Sequence, residues 1–284
     1  MTSRLALYLR MIKFSHSIFA LPFAFTAALL AAGGIPEART ILWITIAMVS
    51  GRSAAMGLNR LIDRKIDAKN PRTSEREIPS GKVSIRDAII FVLVSSIVFV
   101  FSAYMLNPLC LYLSPVALLC FFIYPYTKRF THLSHVFLGL TISGAPLGAW
   151  IAVTGGVEPR ILLLVFAVIF WLSGFDILYA LQDEEFDRHA GLHSIPARFG
   201  KEKAILISRL FHLTTWLFLF GTGLLFGLGW PYMAGVFLSG FLLLYEHSLV
   251  RPDDLSKLNI AFFNMNGYIS ITVFCGTLLN YILL

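Results

Sequence analysis

The sequence predicts an all-α integral membrane protein with nine transmembrane helices, and three observations carry that prediction. Of its 284 residues, 57% are hydrophobic and only 14% charged, whereas a water-soluble domain carries about a quarter charged. Mean hydropathy is +0.75. The apolar residues fall in long unbroken runs rather than in alternation, and lipid accepts only helices or closed barrels, so the runs read as helices. An ordinary soluble enzyme is excluded. Because one span takes about 20 residues, the runs use up the chain and leave a single membrane domain over residues 1–284.

The runs follow one another along the chain. The first, 15–34, comes after Arg4, Arg10 and Lys13 and ends near Ala31 and Ala32, a pattern shared with signal peptides; its length and the spans that follow favour a retained helix. The second, 39–59, ends where the first dense charge cluster begins. Spans 87–106 and 108–126 lead to the short loop YPYTKRF, and 133–154 follows it. The sixth, 160–181, contains Asp176 and runs into a second charged loop. Spans 204–228, 230–249 and 261–284 complete the set. Cys110, Cys120 and Cys275 lie inside these runs without metal-ligand spacing and read as packing residues.

Charge fixes the orientation. If alternate loops lie on opposite sides, 19 of the 23 Lys and Arg residues fall on one side, Arg39 and Arg160 on the other, and Arg52 and Arg209 within spans. The basic side faces the cytoplasm, which puts the N-terminus inside and, with nine spans, the C-terminus outside a cell (inner) membrane. The net charge of +7 and pI near 9.4 therefore report topology and not nucleic-acid binding.

Two loops on the basic side, 60–86 and 182–203, are both long and densely charged, and chemistry is expected there. NRLIDRKID leads on to REIPSGK, and YALQDEEFD to HSIPARFGK, an internal similarity that suggests a two-fold arrangement of helices about one cavity open to the cytoplasm. Asp63 and Asp67 stand four residues apart, as do Asp183 and Asp187, so on continuing helices each pair shares a face. Like charges at that spacing repel unless a cation relieves them. Mg²⁺ is commonly held by a few carboxylates together with substrate phosphates, and two facing pairs suit a metal-clamped diphosphate. Asn59, Arg60, Arg64, Lys65, Arg72, Arg76, Lys128, Arg129, Arg188 and Arg198 lie around the pairs and fit an anionic ligand. Asp176, about two turns before Asp183, is an ionisable group inside a span and hence a site candidate. Tyr124 and Tyr126 read as interfacial aromatics, and Tyr179 equally as interfacial or as facing the site. No histidine has metal-ligand spacing, so His16, His132, His135, His189 and His193 read as interfacial.

These residues resemble a known family. NRLIDRKIDAKNPRTSEREIPSGKVS is similar to the first aspartate-rich motif of the UbiA superfamily of intramembrane aromatic prenyltransferases, and DILYALQDEEFD to the second. The likeness covers nearly the whole chain, including the YPYTKR loop, and within the superfamily the sequence looks most like the 4-hydroxybenzoate polyprenyltransferases and related menaquinone-pathway enzymes. Asn59-Arg60 stands where some members have Asn-Asp. The resemblance implies Mg²⁺-dependent transfer of a polyprenyl group from its diphosphate to an aromatic ring in quinone biosynthesis. It implies Mg²⁺ on Asp63, Asp67, Asp183 and Asp187, diphosphate contacts from Arg72, Lys128 and Arg129, and Asn59 orienting the site. Arg60 or Arg64 is expected to meet the carboxylate of the acceptor, with Asp176 and Tyr179 also lining the substrate site. The expected partners are polyprenyl diphosphate, an aromatic carboxylate and the lipid bilayer; the pattern carries no sign of oligomeric state.

Three other readings remain beside it. A dihydroxynaphthoate acceptor would place the enzyme in menaquinone synthesis. The CDP-alcohol phosphatidyltransferases also combine membrane helices with Asp motifs, but their compact single motif is absent from this sequence. An ion-coupled transporter would place its acidic residues near the midplane, where only Asp176 fits.

Overall fold

In a computed structural model, which describes residues 4–12, 17–258 and 264–284, all regular secondary structure among those residues is helical. His16 and the starts of the first and last predicted spans, 15–16 and 261–263, lie outside them. A short α1 (Arg4–Met11) precedes α2 (Ser17–Ala32), α3 (Ala38–Asp67), α4 (Ile85–Leu106), α5 (Pro108–Thr127) and α6 (Ser134–Thr154). Next come α7 (Leu162–Ala180), the small α8 (Glu184–His189) and α9 (Ile195–Phe199), then α10 (Lys201–Leu225), α11 (Trp230–Ser248) and α12 (Asn266–Leu283).

Where its residues are described, each predicted span falls on a helix, and among the described residues seven helices are long and apolar enough to cross a bilayer. The other two long apolar segments fall short for separate reasons. α2, at 16 residues, is shorter than the hydrocarbon layer requires. In α11 a Trp-Pro-Tyr start and a Glu-His-Ser end dilute the apolar centre.

Local chemistry sets the boundaries. Ser84 accepts the Asp87 N–H to cap α4, and Asn107 accepts the Cys110 N–H to cap α5, with Pro108 at the first helical position. The Asn107 amide also donates to Ile151 O at 2.8 Å, so one side chain ties the start of α5 to the end of α6. Gly155 ends α6 with φ 73°, which a residue without Cβ adopts freely.

α7 is the axis of the bundle. Within its span 72% of residues are buried, against 22% in α4 and 17% in α5, and its Trp171, Leu164, Val168 and Phe175 enter a core with Phe23 of α2, Trp150 of α6 and Tyr232 of α11. Small residues let helices meet closely, as lipid-embedded packing requires. Gly139 of α6 lies against the Ile169 carbonyl of α7, and Gly235 of α11 against Gly276 of α12. Polar side chains join the same helices. His247 donates to His212 Nδ1 at 2.9 Å, and His212 Nε2 donates to Trp171 O at 3.3 Å, while Asn266 donates to the buried Glu246. Of the cysteines, Cys110 is half-buried, whereas Cys120 and Cys275 are exposed on the bundle surface and not packed within it, as Cys side chains in lipid can be without penalty.

Candidate active site

The charged ends of α3, α5 and α7 and the start of α6 meet at one end of the bundle around a polar cavity of about 290 Å³. Its lining includes Asn59, Arg60, Asp63, Lys128, Asp176, Tyr179, Asp183 and Asp187, with Arg52, Arg76, Tyr124, His135 and Ser194. Asp63 of the first carboxylate pair and both Asp183 and Asp187 of the second, 120 positions on in sequence, thus face one space, whereas Asp67 is not among its lining residues.

α3 does not end at residue 59 but continues through the charged sequence to Asp67, carrying the first motif on regular helix. The basic and acidic residues of that last turn project beyond the apolar part of the helix, so they do not break it. Asp63 is 1% exposed and is gripped from two helices. Lys128 Nζ donates to Oδ2 at 2.6 Å, Asn59 Nδ2 to Oδ2 at 3.1 Å, and Arg129 Nη2 to Oδ1 at 3.3 Å. Arg129 also donates to Ile62 O and stacks on the Tyr126 ring. Asp67 is held by Arg76 at 2.7 Å through Oδ1, while its Oδ2 is buried and takes no hydrogen bond among the described residues.

The second motif is built differently. α7 stops at Ala180, a 3-10 turn spans Leu181–Asp183, and α8 restarts at Glu184. Asp183 and Asp187 therefore do not share the face of one regular α-helix, as their spacing suggests, but both still line the cavity. Asp183 is tied to the segment after α3: Arg72 makes a bidentate pair with it, Asn70 donates at 2.9 Å, and Arg72 Nη1 donates to the Tyr179 hydroxyl at 2.9 Å. Burial works against the charge on Arg72, and the bonds to Asp183 and Tyr179 outweigh it, leaving its pKa raised. The chain between α8 and α9 closes the far side, where the His193 N–H donates to Lys128 O at 2.7 Å.

Other expected residues fall elsewhere. Arg60 lines the cavity but is 4% exposed and spends its Nε on Met11 O. Arg64 turns to Leu61 O and is not among the cavity residues. Arg188 pairs with Glu184, and Arg198 lies over Phe199; both are exposed and away from the cavity.

Three lining residues escaped the sequence reading. Tyr124 is no interfacial anchor, since it faces both the polar cavity and a second, apolar one. Arg52, one of two basic residues inside predicted spans, also lines both; its Nε is buried without a hydrogen-bond partner among the described residues. His135 is buried and bonded to Asp176, not interfacial. A lone cation in an apolar run was the available signal for Arg52.

The apolar cavity, about 400 Å³, continues the polar one into the bundle between α3, α4, α5 and α6. Met56, Leu138 and Ile142 join Arg52 and Tyr124 as shared walls, and beyond them the lining is Ile44, Met48, Phe99, Ala117, Phe121, Gly144 and Gly148 among others. A polar chamber opening into an apolar tunnel suits a molecule with an anionic head and a long hydrocarbon tail.

As they stand, no three carboxylates or imidazoles among the described residues converge closely enough to hold an ion by themselves. Asp63, Asp67 and Asp183 are each answered by Lys or Arg instead. The donor set nonetheless fits Mg²⁺, which completes its shell with water and phosphate oxygens and needs few protein ligands: Asp63, Asp183 and Asp187 line the cavity, and Asp67, outside that lining, keeps a buried Oδ2 without a hydrogen-bond partner among the described residues.

Comparison with known proteins agrees with this arrangement. Residues 20–268 match the UbiA prenyltransferase family. The chain is 34% identical over 251 residues to a 4-hydroxybenzoate octaprenyltransferase of Vibrio vulnificus, covering 88% of this chain and 87% of that protein, and 32% identical over 254 residues to one of Citrobacter koseri, covering 88% and 86%. The structure is similar to the apo form of a UbiA homologue from Aeropyrum pernix K1, with TM-score 0.84, 32% identity, and 92% and 96% of the two chains covered. A UbiA homologue from Archaeoglobus fulgidus bound to DMAPP and Mg²⁺ shares the fold at TM-score 0.71 and 18% identity, with 98% and 99% covered. Paired aspartate motifs about a cavity at one end of a multi-pass helical bundle, and a match across most of its length, make this chain a membrane prenyltransferase of the UbiA family.

Proposed function

We propose that the enzyme transfers a polyprenyl group from its diphosphate to the ring of 4-hydroxybenzoate, beside the hydroxyl, in ubiquinone-type synthesis. The observation that carries the reading is the junction of the two cavities, where a carboxylate-and-cation chamber meets an apolar tunnel at Arg52 and Tyr124. Relatives that bear the name 4-hydroxybenzoate octaprenyltransferase support it, as does the A. fulgidus homologue bound to DMAPP and Mg²⁺.

The donor's diphosphate lies in the chamber and its tail in the tunnel. Asp63, Asp67, Asp183 and Asp187 are the residues that would hold Mg²⁺, which when bound would supply charge neutralisation for the leaving group. Lys128, Arg129 and Arg72, preplaced at Asp63 and Asp183, share that task by turning toward the diphosphate. Asn59 holds Asp63 in place. As the allylic C–O bond breaks, the rings of Tyr124 and Tyr179 face the developing cation, and the apolar walls keep water from trapping it. Arg52, buried beside Tyr124 with an Nε that has no hydrogen-bond partner among the described residues, takes the carboxylate of the acceptor, the role the sequence offered to Arg60 or Arg64.

The protein crosses a cell (inner) membrane nine times, with the N-terminus cytoplasmic, the C-terminus outside and the polar cavity open to the cytoplasm. Supporting this are the 19 basic residues on one side and the gathering of both motif loops at one end of the bundle. The carboxylate pairs at helix ends weigh against an ion-coupled transporter, whose site lies near the midplane.

The test is product formation by the purified, detergent-solubilised chain, given a polyprenyl diphosphate and Mg²⁺ with 4-hydroxybenzoate or a dihydroxynaphthoate in parallel. Prenylated 4-hydroxybenzoate alone is the expected outcome. A naphthoate product alone would move the enzyme to menaquinone synthesis and overturn the acceptor assignment.

A further inference from the structure

Asp176 lines the polar cavity and, among the described residues, pairs with neither Lys nor Arg; its side-chain partner there is His135. The partnership is closely specified. The Ile195 N–H donates to His135 Nε2 at 3.3 Å. A backbone amide can only donate, so that nitrogen is an unprotonated acceptor and the imidazole proton sits on Nδ1. Nδ1–H therefore donates to Asp176 Oδ2 at 2.7 Å. Ser173, one turn before Asp176 on α7, donates to the His135 carbonyl at 3.2 Å, holding α6 and α7 in register. The His135 side chain is 4% exposed and that of Asp176 26%, so the histidine is buried behind the carboxylate and the carboxylate reaches the cavity.

This arrangement disfavours a diphosphate contact. A carboxylate with no cation beside it repels an anion, and a neutral imidazole with one fixed proton offers it no help. What Asp176 can receive is a hydroxyl hydrogen. Tyr124 and Arg52 line the same cavity, and an aromatic acid held with its carboxylate at Arg52 has a phenol to satisfy at its other end. We propose that Asp176, oriented by His135, accepts the acceptor's phenolic hydroxyl and takes its proton as the ring bonds to the prenyl group. The inference rests on the hydroxybenzoate reading above.

The step balances without a further reactant. The ring carbon beside the hydroxyl donates an electron pair to the allylic carbon, whose bond to diphosphate oxygen breaks with its electrons leaving on the diphosphate. The hydroxyl proton passes to Asp176, giving a neutral dienone. The hydrogen on the substituted ring carbon then leaves to the diphosphate, and Asp176 returns its proton to oxygen, restoring the phenol. Asp176 is thus a catalytic residue, and His135 a positioning residue acting through it.

The experiment uses the full chain in detergent with a polyprenyl diphosphate, Mg²⁺ and a series of 4-hydroxybenzoates whose phenols are made progressively more acidic by ring fluorination. Asp176→Asn is expected to lower kcat on 4-hydroxybenzoate by about 100-fold or more, and the deficit is expected to shrink as phenol acidity rises. The KM for the donor should change by less than about twofold. His135→Asn, which keeps a donor near the Nδ1 position, should recover activity relative to His135→Leu. An Asp176→Asn deficit of the same size for every acceptor, or a matching rise in donor KM, would overturn the proposal. So would equal activity of His135→Asn and His135→Leu, a comparison that stands even if Asp176→Asn fails to fold. Wild-type enzyme that consumes donor yet prenylates no hydroxybenzoate would instead overturn the acceptor reading on which the proposal rests.

Discussion

Replacing Arg52 by Met tests the acceptor end of the cavity directly. Arg52 precedes Asn59 by seven residues and Asp63 by eleven on α3, which places its Cα about 10 and about 16 Å further into the bundle along the helix axis. It is thus set apart from the cations that answer the motif carboxylates, and among the described residues its Nε has no partner to release. Met keeps the length and the apolar stem, so the cavity wall stays filled while the charge is lost. A hydrogen bond to a charged group contributes about 1.5–3 kcal/mol, which predicts a loss of about 10- to 150-fold in kcat/KM for 4-hydroxybenzoate. Its methyl ester, which carries no carboxylate, should lose little. The assay compares acid and ester on wild-type and Arg52→Met enzyme at saturating donor, and separately follows the donor KM. An equal loss for acid and ester, or a loss confined to the donor KM, would refute the assignment and return Arg52 to the diphosphate or to packing.

Asp63→Ala and Asp183→Ala are each expected to cut prenyl transfer by at least about 10³-fold, while the protein still elutes as a single folded species. The partners freed by Asp63→Ala, Lys128 and Arg129, are 30% and 32% exposed and can rehydrate; appreciable turnover in either variant would defeat the metal-clamp assignment. Gly148→Leu fills the apolar tunnel where a Cβ meets nothing within 4 Å. Displacing one five-carbon unit of tail forfeits up to about 4 kcal/mol of burial at about 0.8 kcal/mol per carbon, so kcat/KM for a long donor should fall at least about tenfold more than for geranyl diphosphate; equal losses would mean the tail lies elsewhere. Gly174→Ala puts a Cβ into the His212 ring and should destabilise the protein by about 1–3 kcal/mol, seen as a lowered melting temperature in detergent; unchanged melting would show that α7 and α10 can part without cost.

The acidic half of this site was legible in the sequence because like charges four residues apart at the end of an apolar run need a shared counter-charge, and two such ends were visible. Lys128 and Arg129 were legible through topology, since counting spans put their loop on the side of the motifs. The conformations were less so. Nothing in the spacing distinguished the regular helix under Asp63 and Asp67 from the 3-10 turn at Asp183, because a helix in register with its neighbours and one that breaks share the same residue types. His135 and Asp176 are 41 positions apart and meet through helix packing, for which one histidine in an apolar run carries no periodic signal. Tyr124 was misread because an aromatic near a helix end looks the same whether it faces headgroups or a cavity.

The low burial of α4 and α5 has a consequence for the tunnel they wall. With only 22% and 17% of the residues in their apolar stretches buried, these helices leave most of their residues at least partly exposed to the surrounding lipid, and segments with few buried contacts open at lower free energy than the core. The bilayer is therefore part of the tunnel's outer casing. Its thickness and lateral pressure press on the helices that bound the tail, while α7 and the carboxylate chamber are shielded behind them. Donor length preference becomes a shared property of protein and membrane, so the same chain should rank long and short donors differently in detergent micelles and in bilayers of different thickness.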